Sequence, residues 1–277
     1  MPSLIFPSKS MLFNREKLLI IAGPCALESE ELVFEVAHYL EKIRERFPEI
    51  QLIFKTSLDK ANRSSMASGR GMGMEKGLPI LEKLKNHYSF PVTTDVHLPE
   101  QAVEVAGVCD VLQVPAFLCR QTDLLRAVAE TGRIVSVKKG QFLSPDEMQH
   151  VIGKLAHFGA KEIWPMERGT TFGYNNLVVD MRSFPIMRRF SSVVIFDGTH
   201  SVQLPGAGDG KTMGQREFVE HLAYAALAAG ANGLFFETHT HPDQAICDAA
   251  NQLDVHDFDR IVERCLKFWE IRKDLES

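Results

Sequence analysis

Residues 92–138 read VTTDVHLPEQAVEVAGVCDVLQVPAFLCRQTDLLRAVAETGRIVSVK. Three short runs in this stretch are rich in apolar and β-branched residues: Val92–Asp95, Val111–Val114 and Ile134–Lys138. Runs of this length between turn residues are typical of buried parallel strands, and the longer stretches between them have the mixed apolar and polar pattern of amphipathic helices. The stretch therefore predicts successive strand–helix–strand units.

The same alternation continues in both directions along the chain. Eight apolar runs predict strands at Leu18–Ala22, Leu52–Thr56, Val92–Asp95, Val111–Val114, Ile134–Lys138, Glu162–Met166, Val193–Phe196 and Gly233–Glu237. Amphipathic stretches predict helices at Ser29–Arg46, Gly77–His87, Pro99–Ala106, Thr122–Thr131, Pro145–Phe158, Asn176–Arg188, Gln215–Ala229 and Phe258–Asp274.

Eight strands, each followed by a helix, predict the α/β fold class with a single (β/α)8 TIM barrel. We expect one domain over residues 1–277, in which residues 1–16 form a short N-terminal extension. A doubly wound open sheet is the alternative, and it is disfavoured because no Gly-x-Gly-x-x-Gly motif follows the first strand.

Composition disfavours several classes of partner. The chain has 31 Lys and Arg against 36 Asp and Glu, a net charge of -5, so it has no global attraction to nucleic acids or anionic lipids. No apolar run approaches the roughly 20 residues that a membrane span requires, and the N-terminus lacks the pattern of a signal peptide. The 5 scattered cysteines in so long a chain indicate a reducing compartment. We therefore expect a cytoplasmic protein without nucleic-acid or membrane partners.

Basic side chains follow several predicted strands, where the active sites of β/α barrels lie. These residues are Lys55, Lys60, Arg63, Arg120, Lys138, Lys139 and Arg168. Because the loops of a barrel converge on one mouth, their charges predict a site for phosphate or carboxylate groups, with Ser64 and Ser65 as further donors. The alternative is that each cation is a solvated surface charge.

Four potential metal ligands lie at the ends of strands that become neighbours only when the barrel closes. Cys25 follows the first strand, His200 the seventh, Glu237 ends the eighth, and Asp248 lies further on. A thiolate, an imidazole and two carboxylates suit Zn²⁺, Fe²⁺ or Mn²⁺. Two alternatives remain open: Cys25 is a buried structural residue, or the imidazole comes from His239 or His241.

Six motifs resemble those of the 3-deoxy-D-manno-octulosonate 8-phosphate synthases, from about residue 18 to the C-terminus. They are Ala22-Gly-Pro-Cys25, Phe54-Lys-Thr-Ser-Leu-Asp-Lys-Ala-Asn-Arg-Ser-Ser65, Gln113-Val-Pro-Ala-Phe-Leu-Cys-Arg-Gln121, Val137-Lys-Lys-Gly-Gln141, Glu167-Arg-Gly-Thr-Thr-Phe-Gly-Tyr174 and Thr199-His-Ser-Val-Gln-Leu-Pro-Gly206. That family condenses phosphoenolpyruvate with arabinose 5-phosphate and water and releases inorganic phosphate, on the route to the Kdo sugar of lipopolysaccharide.

The resemblance distinguishes this chain from a related synthase of aromatic biosynthesis, which uses erythrose 4-phosphate. That relative usually has Lys-Pro-Arg-Thr where this chain has Lys60-Ala-Asn-Arg-Ser64, and Asn62 marks the five-carbon sugar phosphate. Cys25 resembles the metal-dependent class of the family, which implies the ligand set Cys25, His200, Glu237 and Asp248.

The resemblance also implies roles for individual residues. It implies Lys60, Lys138, Arg168, His200 and Asp248 as the catalytic residues, of which Lys60, Lys138 and Arg168 clamp phosphoenolpyruvate. It implies that the substrate-binding residues are Lys55, Asn62, Arg63, Ser64, Asp95, Gln113, Phe117, Arg120 and Gln141. Arg120 is expected to reach the sugar phosphate of a neighbouring subunit, which implies a homo-oligomer, commonly a homotetramer. The alternatives are the aromatic-pathway synthase and a non-catalytic barrel that binds a metal or a sugar phosphate.

Overall fold

The computed structural model describes residues 12–62, 69–207 and 213–276. Eight parallel strands form its central sheet: β1 Leu18–Gly23, β2 Ile50–Lys55, β3 Val92–Asp95, β4 Val111–Val114, β5 Ile134–Lys138, β6 Ile163–Glu167, β7 Ile195–Asp197 and β8 Gly233–His239. Each strand pairs with the next in chain order, and β8 pairs in parallel with β1, where Ile20 lies opposite Leu234. This last pairing closes the sheet, so the predicted barrel is confirmed and the doubly wound alternative, which requires an open sheet, is wrong.

Helices alternate with the strands along the chain. They are α1 Glu30–Arg46, α2 Gly73–Tyr88, α3 Gln101–Val108, α4 Thr122–Glu130, α5 Met148–His157, α6 Ser183–Met187, α7 Val219–Ala228 and α8 Phe258–Glu276. Helix α1 shows why the predicted bounds hold: the Ser29 hydroxyl accepts a hydrogen bond from the Leu32 N–H at 3.1 Å and caps the helix. Within the described ranges, no helix combines the length and the apolar composition that a membrane crossing needs.

The predicted helix Asn176–Arg188 is wrong in its first half. Leu177–Val178 instead pairs antiparallel with Thr170–Thr171, and the helix is only Ser183–Met187. β-Branched residues favour the extended conformation of this hairpin. The Asp180 carboxylate accepts a hydrogen bond from the Arg182 N–H at 2.9 Å, which forms a turn before the short helix begins.

Alternate residues of the strands contribute to two apolar layers. In β1, Leu18 and Ile20 pack toward the helices, whereas Leu19 and Ile21 fill the barrel interior. Phe13, from the predicted N-terminal extension, belongs to the interior cluster. Its ring packs edge-on against the ring of Trp164, with the two ring centroids 6.4 Å apart. The extension therefore contributes directly to the barrel core. The charged residues of the strands lie instead at their carboxyl ends.

Gly23 permits the close approach of β1 and β2 next to the charged end of the barrel. Its φ of 149° is rare for residues with a side chain, and a methyl group there would overlap the carbonyl oxygen of Lys55. We expect Gly23→Ala to lower the free energy of unfolding by at least about 2 kcal/mol, because neither backbone can retreat. Gly107→Ala, in an open position of α3, should raise it by about 0.5–1 kcal/mol. Urea unfolding measures the free energy of unfolding of both variants. Equal unfolding midpoints for Gly23→Ala and the wild type would contradict the steric argument.

Candidate active site

Charged side chains are buried together at the carboxyl ends of the barrel strands. Lys55 ends β2, Lys138 ends β5 and Asp197 ends β7, while Glu237 lies in β8 and Arg168 directly follows β6. All five side chains are buried. Because an unpaired charge is costly to bury, their mutual contacts define the site.

Glu237 lies at the centre of one group of contacts. Its Oε1 accepts a hydrogen bond from Lys55 Nζ at 2.6 Å and lies 3.8 Å from Lys60 Nζ and 3.5 Å from His200 Nε2. Burial raises the pKa of Glu237, but the charges of His200, Lys55 and Lys60 outweigh it and hold that pKa well below its usual range. Its Oε2 is buried without a hydrogen-bond partner among the described residues. Glu237 is therefore a carboxylate with one oxygen available to a cation.

Asp197 orients both Lys138 and His200. Lys138 Nζ donates to Asp197 Oδ2 at 2.5 Å, and the backbone N–H of His200 donates to Asp197 Oδ1 at 2.9 Å. The Nδ1 atom of His200 lies 3.0 Å from the same Oδ1. In the tautomer whose Nδ1 donates to Asp197, the Nε2 lone pair faces Glu237 and Asp248. This tautomer is the one that can bind a metal.

Ion pairing also shifts the pKa values of this group. Burial raises the pKa of Asp197, but the interactions with His200 and Lys138 lower that pKa by more than burial raises it. The Asp197 carboxylate therefore stays ionised. Burial lowers the pKa of Lys138, and the attraction of Asp197 opposes that effect.

The structure places the four predicted metal ligands in two overlapping groups that share Asp248. Cys25 Sγ lies 3.3 Å from Asp248 Oδ2, and His200 Nε2 lies 3.9 Å from the same oxygen. One potential ligand atom from each of His200, Glu237 and Asp248 falls within 4.8 Å of the others. The unpartnered Glu237 oxygen, the available imidazole nitrogen and the adjacent thiol are a donor set that fits a divalent metal of intermediate softness.

Arg168 connects the basic group to these potential ligands. Its Nη2 donates to Gln203 Oε1 at 2.6 Å, and Gln203 Nε2 donates to Asp248 Oδ1 at 2.8 Å. In the described part of the chain, Arg168 Nη1 is buried without a hydrogen-bond partner. A buried guanidinium with an unused donor is suited to a phosphate or carboxylate.

Asp95 and Gln113 lie at the ends of β3 and β4. Asp95 accepts hydrogen bonds from Ser57 Oγ and from Gln113 Nε2. Burial raises the pKa of Asp95, but the charges of Lys55 and Lys60 lower it more strongly, so it is ionised beside the two lysines. These contacts place predicted substrate-binding residues next to the Glu237 group.

The remaining predicted substrate-binding residues are less defined by the structure. Asn62, Phe117 and Arg120 have exposed side chains, and Gln141 Oε1 is buried without a hydrogen-bond partner among the described residues. Arg63 and Ser64 lie outside the described residues. Their contacts with a sugar phosphate stay predictions.

The prediction that Lys139 belongs to the anion site is wrong. Consecutive strand residues face opposite sides, so Lys138 enters the site and Lys139 turns away from it. Lys139 Nζ lies 3.4 Å from Glu167 Oε1 and donates to Thr170 Oγ1 at 2.9 Å. Both partners of this ion pair are fully buried, so the Lys139 charge is already neutralised where β5 and β6 end.

Comparison with known proteins agrees with this geometry. Residues 9–276 match the model of the DAHP synthetase I family. The chain belongs to this family. Proteins of Brucella canis, Brucella ovis and Brucella abortus are each 50% identical to it over 262 residues, which cover 95% of this chain and 94% of the relative. Each relative is named 2-dehydro-3-deoxyphosphooctonate aldolase, another name for 3-deoxy-D-manno-octulosonate 8-phosphate synthase, so the resemblance of the motifs is confirmed.

Sequence reasoning about this family member missed three residues that the structure places in the cluster. Asp197 is absent from the predicted site residues, although it pairs with Lys138 and His200. Gln203 joins Arg168 to Asp248, and Cys247 lies beside Cys25. Asp197 was detectable from its place at a strand end, and Cys247 from its place before Asp248. No spacing rule predicts that Gln203 lies in the site.

Proposed function

We propose that this chain is a 3-deoxy-D-manno-octulosonate 8-phosphate synthase. The reaction joins phosphoenolpyruvate, arabinose 5-phosphate and water and releases inorganic phosphate. The observation that carries the proposal is the convergence of Lys60, Lys138 and Arg168 around one group of potential metal ligands, in a chain 50% identical to relatives of that name.

In the proposed reaction, C3 of phosphoenolpyruvate attacks the aldehyde carbon of open-chain arabinose 5-phosphate. Water adds at C2, and phosphate then leaves by cleavage of its C–O bond. Lys60, Lys138 and Arg168 neutralise the phosphate and carboxylate of phosphoenolpyruvate, and the unused Nη1 of Arg168 supplies a directed donor. Holding two anionic substrates in fixed orientation recovers much of the entropic cost of a bimolecular step.

Two substrate regions follow from the contacts. Lys138 and Arg168 would hold phosphoenolpyruvate, with Gln113 beside them. The sugar phosphate would lie toward Lys55 and Asp95, where Ser57 and Gln113 fix the orientation of the Asp95 carboxylate. Arg63 and Ser64 would donate to its phosphate, and Asn62, Phe117 and Gln141 would line the same region.

We further propose that Cys25, His200, Glu237 and Asp248 hold a divalent metal ion, Zn²⁺, Fe²⁺ or Mn²⁺. When bound, such an ion supplies Lewis acidity toward the aldehyde or the attacking water, or holds the site in shape. Burial, reinforced by Cys247 and Glu237, raises the pKa of the Cys25 thiol well above its usual range, so this thiol ionises only with a cation beside it.

The proposed setting is a cytoplasmic homotetramer in which each chain forms one domain. All five cysteines are free and buried, in keeping with a reducing compartment. Tyr174 is 99% exposed and Phe172 71%, and exposed aromatic side chains of this kind are suited to a subunit interface. Arg120 is likewise exposed, as the proposed contact with a neighbouring subunit's substrate requires.

The choice of acceptor tests the proposed activity. Phosphate release from phosphoenolpyruvate is measured with arabinose 5-phosphate and, separately, with erythrose 4-phosphate. We expect kcat/KM to favour arabinose 5-phosphate, because Asn62 lies in Lys60-Ala-Asn-Arg-Ser64, where the aromatic-pathway synthases usually have Lys-Pro-Arg-Thr. A preference for erythrose 4-phosphate would instead support the aromatic-pathway synthase, and no release with either acceptor would support a non-catalytic barrel.

A further inference from the structure

Two buried cysteines lie side by side at the edge of the proposed metal site. The Sγ atoms of Cys25 and Cys247 and a carboxylate oxygen of Asp248 all fall within 4.8 Å of one another. Cys25 and Cys247 are 0% and 2% exposed and form a small cluster with Ala26 alone. The other cysteines, Cys109, Cys119 and Cys265, pack in the main hydrophobic core. Cys247 therefore differs from an ordinary buried cysteine, which behaves as a small apolar residue.

A buried glutamine holds the two cysteine backbones together. The Cys25 N–H donates to Gln252 Oε1 at 3.1 Å, and Gln252 Nε2 donates to the Cys247 carbonyl at 2.9 Å. Gln252 is 0% exposed. One side chain thus fixes the segment that carries Cys247 against the end of β1, although the two cysteines are far apart in sequence.

The backbone at Asp248 is also constrained. Asp248 has a φ of 49°, in the left-handed region that is costly for a residue with a side chain. Its carbonyl accepts hydrogen bonds from the N–H groups of Asn251 and Gln252, which stabilise the turn. Strained conformations of this kind persist where the surrounding structure enforces them and are concentrated at functional sites. Here the turn presents Asp248 and Cys247 to the same thiol.

We propose that Cys247 is a second thiolate ligand of the metal ion, in addition to Cys25, His200, Glu237 and Asp248. This inference rests on the metal site of the proposed function and extends its donor set. Two thiolates make the set softer than a single one does, and softer sets favour Zn²⁺ or Cd²⁺ over Mn²⁺, which prefers oxygen ligands. Cys247 is thus a residue that determines which metal the site selects.

Cobalt binding tests the inference without measuring turnover. Co²⁺ is added to the chelator-treated full chain, and the thiolate-to-cobalt charge-transfer absorption in the near ultraviolet is recorded for the wild type, Cys25→Ser, Cys247→Ser and Cys265→Ala. We expect each of the first two variants to lose about half of the wild-type intensity, because each retains one thiolate. Cys265→Ala, which changes a cysteine of the main core, should keep it all. Cys247→Ala provides a second variant, and circular dichroism confirms that each protein is folded.

Metal selectivity supplies an independent readout. Competition between Cd²⁺ and Mn²⁺ should show that Cys247→Ser lowers the preference for Cd²⁺ by at least about tenfold, while Cys265→Ala leaves it unchanged. Wild-type absorption in Cys247→Ser, together with its complete loss in Cys25→Ser, would overturn the role of Cys247 and leave the metal site standing. If the wild type shows no thiolate absorption at all, the metal site itself is overturned. Neither result depends on which substrates the protein uses.

Discussion

Lys138→Met is expected to lower kcat/KM for phosphoenolpyruvate by on the order of 10³-fold. The Lys138 ammonium group is buried within 2.5 Å of Asp197 Oδ2, in surroundings where a fixed cation interacts strongly with developing negative charge. Methionine preserves much of the side-chain volume and removes the charge. Steady-state phosphate release with varied phosphoenolpyruvate measures the loss.

The Lys138→Met variant also leaves the buried Asp197 carboxylate without its lysine. We expect a loss of about 3–5 kcal/mol in the free energy of unfolding, because the uncompensated charge remains in the core. The double variant Lys138→Met/Asp197→Asn should recover part of that stability and none of the activity. Lys161→Met, at an exposed position, is the matched control and should leave both quantities unchanged. A folded Lys138→Met protein with the wild-type kcat/KM would contradict the proposed clamp.

Cys25→Ala is expected to reduce both the bound metal and the activity. Changing a residue that merely supports a metal ligand costs about 10–100-fold, so losing a ligand should lower kcat by about 100-fold or more. Cys25 is fully buried and its Sγ lies 3.3 Å from Asp248 Oδ2, so alanine there removes one of the two thiols beside that carboxylate. The metal content of the protein as purified, measured by atomic emission, should fall below that of the wild type, because one thiolate ligand is lost.

Two comparisons make the Cys25 result specific. Cys265→Ala removes a thiol from the main hydrophobic core and should preserve the metal content. Cys25→Asn replaces the thiol with an uncharged amide, which is a much weaker metal ligand than a thiolate. Full activity of Cys25→Asn without metal would show that the ion only holds the site in shape. An unchanged metal content in Cys25→Ala would contradict the assignment of Cys25 as a ligand.

The barrel was predictable because its strands are buried on both faces. Such strands are short continuous apolar runs, and the eight runs found in the sequence lie at or within a few residues of the eight barrel strands. Asn176–Arg188 was mispredicted because its residues have a helical pattern while its first part pairs with Thr170–Thr171. Local periodicity does not record which neighbour a segment will find.

The site was predictable in position more than in detail. The charged residues follow strand ends in the sequence, so their convergence follows from the fold. Cys25 and Asp248 are 223 residues apart, and only the pairing of β1 with β8 brings them together, so spacing alone could not identify the pair. Lys138 enters the site and Lys139 does not, because consecutive side chains face opposite sides and Glu167 neutralises Lys139.

Phosphate release from phosphoenolpyruvate with arabinose 5-phosphate is the most direct test of the proposed function. It is measured on the protein as purified, after exhaustive chelation, and after addition of Zn²⁺, Mn²⁺ or Fe²⁺. We expect release that depends on arabinose 5-phosphate, is lost on chelation and is restored by metal. Release that survives chelation would contradict the metal requirement alone, and no release under any of these conditions would contradict the synthase activity.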